Sequence, residues 1–184
     1  MHPARLVLAA VVTCGLAAAT ALPATAAQRT TTDPRGDTSA TFDITKLDVN
    51  NKTSELVVKV VVPGFSTTAA EVPDAYILGA TIHTRGIDYY VEAGHEEGGD
   101  EYVFFQPHDG GYDDGDEGGK PCAGLRAVFR TGAAKLVIPQ KCFGKDKGSV
   151  RVIAQFRGYS IEGGATSDQG TDYTNEHPRH IKRG

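Results

Sequence analysis

The chain has 184 residues, a formal net charge of −4, three cysteines and no tryptophan. That length is one domain's worth of residues. Acidic balance without a basic cluster argues against nucleic acid, and the missing tryptophan weakens a sugar-stacking platform, leaving Tyr76, Tyr89, Tyr90, Tyr102 and Tyr112 as substitutes.

Residues 1–27 are expected to be a secretory signal peptide. Arg5 supplies the positive end, Leu6 to Leu22 an apolar run, and Ala24-Thr25-Ala26 and Thr25-Ala26-Ala27 offer small residues for cleavage. The run is short for a membrane anchor and is broken by Gly15. No second apolar stretch is long enough to span a bilayer, so no membrane span is expected after cleavage. The residues before Cys14 are a poor match to a lipoprotein acceptor. Cleavage removes one arginine and no acid, which takes the charge from −4 to −5. The mature chain is expected outside the cell.

Residues 28–40 are polar and turn-rich and read as an extended N-terminal arm. The segment 41–157 reads as strands. Phe42 and Ile44 share one parity, Leu47 and Val49 the other, so a bulge or bend is expected near Thr45-Lys46. Asn50 to Ser54 is a turn, and Asn51-Lys52-Thr53 spells a glycosylation sequon. Leu56, Val58, Val60 and Val62 alternate on one face, as do Tyr76, Leu78, Ala80 and Ile82, and Val150, Val152, Ala154 and Phe156. Ile87–Glu92 and Tyr102–Gln106 are aromatic-rich strands. Ser66 to Val72 offers one short helical turn. About eight short strands with Gly/Pro punctuation predict an all-β fold, an antiparallel β-sandwich, with a closed β-barrel as the alternative. The Gly-, Ser- and Asp-rich segment 158–184 reads as a partly ordered tail.

Cys122 and Cys142 flank a predicted hairpin. Gly132-Ala133 suits a type II′ turn, which pairs Phe129 with Leu136, Ala127 with Ile138, Val128 with Val137 and Arg130 with Lys135. Pro139 stops the ladder. With Cys14 removed, two cysteines remain, and an oxidising compartment favours a Cys122–Cys142 disulfide.

Eleven acids and no Lys or Arg lie between Gly86 and Gly119. Within that segment Asp113, Asp114 and Asp116 sit in a glycine-rich loop of the kind that gathers oxygen ligands around Ca²⁺. A second candidate cation site is Asp33, Asp37 and Asp43, at the entry to the first strand. Both also read as solvated or turn carboxylates. Gly158-Tyr159-Ser160-Ile161-Glu162 misses the last position of a nucleophile elbow. His95-Glu96-Glu97 lacks the second histidine of a zinc protease. His83, His95 and His108 are lone histidines that fold alone could bring together.

Asp33-Pro34-x-Gly36-Asp37 is followed by Asp43-Ile44 and Val49-x-Asn51, then by Tyr89 after a glycine turn. Cys122-x-Gly124 is answered by Ile138-Pro139-x-x-Cys142-x-Gly144 and by Val150-Arg151-Val152. Together these resemble small exported actinobacterial proteins over most of residues 33–157. The resemblance implies a β-sandwich loosely similar to DOMON-type and family 9 carbohydrate-binding modules, and it implies no activity. Those proteins often carry an acidic residue where this chain has His83.

The leading expectation is a secreted, non-catalytic β-sandwich that binds a glycan or a protein partner. The rivals are an extracellular hydrolase using a carboxylate pair of the acidic region, and a structural or inhibitory protein. A flat aromatic sheet face favours glycan binding, and a deep pocket with shifted carboxylates favours the hydrolase.

Overall fold

Period-two alternation makes strands, and ten form in the computed structural model, which describes residues 27–68, 75–95, 101–108, 122–145, 148–162, 165–174 and 180–184. They are β1 (Ala27–Thr32), β2 (Lys46–Asn51), β3 (Glu55–Val61), β4 (Ala75–His83), β5 (Asp88–His95), β6 (Glu101–His108), β7 (Arg126–Arg130), β8 (Ala133–Pro139), β9 (Arg151–Glu162) and β10 (Ala165–Tyr173). One antiparallel sheet has the order β1-β2-β3-β8-β7 and the other β10-β9-β4-β5-β6. The sheets face each other and do not close into a barrel. The fold is therefore the antiparallel β-sandwich.

The core lies between the sheets. Leu56, Val58, Val60, Leu78, Ile82, Leu136, Ile138 and Phe156 are fully buried there. Phe65 meets Phe156 edge-on at 4.9 Å and Tyr76 at 5.0 Å. The parity switch falls where expected: Phe42, Ile44, Leu47 and Val49 are all buried. Thr45 donates to Val61, which is also the register partner of Lys46.

Regular structure extends beyond 41–157 at both ends. Ala27, the last residue of the expected signal peptide, and residues 28–32 of the arm pair with β2 as an edge strand, and residues 165–173, read as tail, pair with β9. Edge strands bury only one face, so their weak apolar alternation hides them. Further on, Ile181 bridges to Val150. The signal segment up to residue 26 and much of the predicted helical turn lie outside the described residues.

The β7–β8 hairpin forms, but its register differs from the predicted one. Arg130 pairs with Ala133, Phe129 with Ala134, Val128 with Lys135 and Ala127 with Leu136. The turn is Thr131-Gly132, and Gly132 takes the second central place with φ +80°. A loop from β3 decides this: Gly132 donates to the Phe65 carbonyl and accepts from Val62. The slip is two residues, so the faces are unchanged. Beyond Pro139 a 3₁₀ turn, Gln140–Phe143, sends Phe143 into the core against Tyr89 and Phe105. The same turn brings Cys142 to Cys122 with Cα atoms 5.8 Å apart, within disulfide reach.

Asn51 of the sequon is fully buried. Its amide nitrogen donates to the Gly148 and Ile181 carbonyls, and its oxygen accepts from Gln140. Both amide hydrogens are spent, so in this fold Asn51 ties the turn to the tail and carries no glycan.

Candidate functional site

Two polar centres stand out from the core. The first covers the outer face of the β10-β9-β4-β5-β6 sheet. Register lays its side chains in rungs across the strands: Phe104, Glu92, Gly79, Gln155 and Tyr173 in one, Tyr102, Gly94, Ile77, Arg157 and Thr171 in the next. Two of these positions are glycine for reasons of space. A Cβ on Gly79 would stand 2.6 Å from the Gln155 amide, and one on Gly94 would stand 2.7 Å from the Tyr102 ring. The neighbouring side chains therefore lie flat over bare backbone.

At the middle is Glu92, 9% exposed. One carboxylate oxygen accepts from the Tyr90 hydroxyl at 2.6 Å and from Arg157 Nη2 at 2.9 Å. The other accepts from the Tyr102 hydroxyl at 2.8 Å. Gln155 donates to the Tyr90 oxygen at 2.7 Å. Burial, the largest single effect, works against the Arg157 charge, but Glu92 together with Tyr159, Tyr90 and Tyr102 outweighs it and holds the guanidinium above its ordinary pKa. Arg157 also lies over the Tyr159 ring at 5.5 Å, and burial raises that phenol's pKa. Tyr90 packs edge-on to Phe104 at 5.7 Å. The result is a flat layer of phenols, an amide and a guanidinium, with aromatic rings toward both margins.

The second centre lies at the open edge of the sandwich, where β1 and β10 are the edge strands. Asp33, Asp37 and Asp172 each bring a carboxylate oxygen within 4.8 Å of the others. Asp172 Oδ2 accepts from the Ile44 N–H at 2.5 Å and Oδ1 from its neighbour Tyr173 at 2.8 Å. Asp43 stands behind this triad. Its Oδ2 accepts from the Gly36 N–H at 3.2 Å, while its Oδ1 is buried with no partner. Burial first, and the charges of Asp37 and Asp33 after it, push Asp172 up to about 6.

The structure thus brings Asp33 and Asp37 together, as the sequence suggested, but closes the triad with Asp172. Asp172 lies in a polar stretch that reads as tail, with no local signal to group it with the arm. Asp113, Asp114, Asp116 and Tyr112 lie outside the described residues. Tyr76 and Tyr89 are core residues, whereas Tyr90 and Tyr102 lie on the outer face. Two of the three histidines come to Asp88: His83 pairs with it at 2.7 Å and His108 is its register partner, while His95 sits at the far end of β5, seven residues or about 23 Å from Asp88.

The described acids of the 86–119 segment are Asp88, Glu92 and Glu101. Asp88 and Glu92 share a face of β5 four residues apart, about 13 Å at 3.3 Å per residue. A glycosidase pair stands about 5–10 Å apart.

Among the described residues, no helix is long and apolar enough to cross a membrane. Comparison with known proteins leaves the geometry to speak alone: no family model, curated protein or solved structure matches this chain.

Proposed function

We propose that the chain is an exported, non-catalytic binding domain that takes a glycan on the outer face of the β10-β9-β4-β5-β6 sheet. One observation carries this reading: a flat layer of hydrogen-bonding side chains centred on Glu92 and bordered by Phe104, Tyr102, Tyr159 and Tyr173. Sugars offer apolar ring faces and equatorial hydroxyls. Aromatic margins suit the first, and fixed phenol, amide and guanidinium groups suit the second. Preorganisation supports it too, since side chains already locked in place lose little entropy on binding. Glu92 speaks for recognition over catalysis. Three donors hold it, one of them a guanidinium, which fixes the carboxylate in place.

Tyr173 is 57% exposed, so its ring is available and its loss costs the fold little. The test is retention of the mature protein on insoluble polysaccharides and on a glycan array. Tyr173→Ala should weaken retention by about five- to tenfold, the size of one ring contact. A Phe104→Ala, Tyr173→Ala double variant should abolish it. No retention on any glycan, or retention that both variants leave unchanged, would sink the reading. Capture of a protein partner through the same face would replace the glycan with a protein.

A further inference from the structure

We infer that Asp33, Asp37 and Asp172, backed by Asp43, form a calcium site that joins the two edge strands of the sandwich. The inference is independent of the glycan reading. Three carboxylate oxygens within 4.8 Å of one another already make a half-shell for a cation. A second observation concerns Asp43, which is 8% exposed and keeps one buried carboxylate oxygen unpartnered. Its other oxygen is fixed by the Gly36 N–H, one residue from Asp37. The next amide, that of Ile44, is fixed by Asp172. The Asp43 carboxylate is thereby tied to the arm next to Asp37 and lies one residue from the amide that Asp172 accepts. An unmet buried acceptor in that place asks for a positive partner.

The donor chemistry selects the ion. Every side chain in the cluster is a carboxylate, and neither histidine nor cysteine takes part, which suits a hard cation over zinc or copper. Asp37 is exposed, so water can complete the shell on that side. Three carboxylates from two separate segments, the arm and β10, form an irregular, adaptable half-shell. That favours calcium, with its six to eight oxygens, over magnesium, which demands a tight octahedron.

Location gives the ion its role. Asp33 and Asp37 follow β1, and Asp172 belongs to β10, so one ion would tie an edge of each sheet. The arm already reaches across, since the Thr38 hydroxyl donates to the Thr171 carbonyl. The ion would take away the repulsion that opposes this seating, and binding to the folded state alone would stabilise it by mass action.

The probe is calcium chloride added to chelator-stripped mature protein. About 2 mM calcium should raise the melting temperature by several degrees, with calorimetry showing one ion and a dissociation constant of about 10⁻⁴–10⁻³ M or tighter. Asp37→Asn alters an exposed side chain and should fold; it should weaken calcium binding at least about tenfold by removing one charged ligand. Asp172→Asn should remove it altogether. No shift with calcium would overturn the site. So would an equal shift from magnesium or from sodium chloride at the same ionic strength. A shift that survives Asp37→Asn but disappears when Asp113, Asp114 and Asp116 are changed to Asn would move the ion to the acidic loop and reject the site argued here.

Discussion

Glu92 and Asp172 are both largely buried carboxylates, yet their surroundings are opposite. Glu92 accepts from two phenols and an arginine, so its charge is met from within the chain. Asp172 accepts from the backbone N–H groups of Ile44 and Tyr173 and has Asp33 and Asp37 for company. The difference lies in what each needs next. Around Glu92 both carboxylate oxygens already accept from donors of the chain, which holds the layer in place. Around Asp172 negative charge is concentrated and left for a cation to meet. Burial alone does not say whether a carboxylate is a structural group or a ligand; the charge of its partners does.

Phe156 tests both regions at once. It is fully buried, the register partner of Asp172 and flanked by Gln155 and Arg157, which point outward. Phe156→Ala should cost about 3–5 kcal/mol in denaturant unfolding, because the cavity opens beside Phe42 and Phe65. A cost under about 1 kcal/mol would mean that this residue does not join the two sheets.

Arg157→Ala comes next. Glu92 would be left with phenols alone, at an expected cost of about 2–4 kcal/mol, below the full penalty of a wholly buried pair because the guanidinium side chain is 24% exposed. Combining it with Glu92→Gln should cost less than the two single changes added together. Strict additivity would show that the two groups do not act as a pair, and the contrast with Asp172 would then fail.

The faces of the strands were legible because burial enforces period two: Val58, Val60, Ile82, Val152 and Phe156 are each at most 1% exposed. The β7–β8 register was not, since the choice between two turns is made by Val62 and Phe65, far away in the chain. The same blindness affected Asn51, whose partners Gln140, Gly148 and Ile181 come from 89, 97 and 130 residues away. Asp33 and Asp37 could be grouped because they are local. Asp172 is on a polar edge strand with no apolar stripe to announce it, and only pairing with β9 brings it to the arm. Glu92 was one of eleven acids, and nothing in the sequence distinguished the one that faces Arg157.

The smallest effect is a pH dependence confined to the ion-free protein. Asp172 titrates at about 6 in the folded chain against an ordinary value of 3.8, burial being the main cause and the Asp37 and Asp33 charges adding to it. Asp43 also borders the arm side, while the facing N–H groups of Ile44 and Tyr173 favour ionisation and limit the rise. Between those two pH values the folded state holds a proton that the unfolded state has released. Stability from this group is therefore fully present below about 3.8 and is lost as pH rises through about 6. In chelator, wild-type protein should lose stability relative to Asp172→Asn across that window. The comparison rests on the slope alone, because the asparagine amide turns a donor toward one of those backbone N–H groups and carries its own pH-independent cost. Millimolar calcium should flatten the wild-type slope, since an ion at the triad replaces the proton. Parallel wild-type and Asp172→Asn curves in chelator would mean that Asp172 is ionised throughout, and the contrast with Glu92 would narrow to geometry.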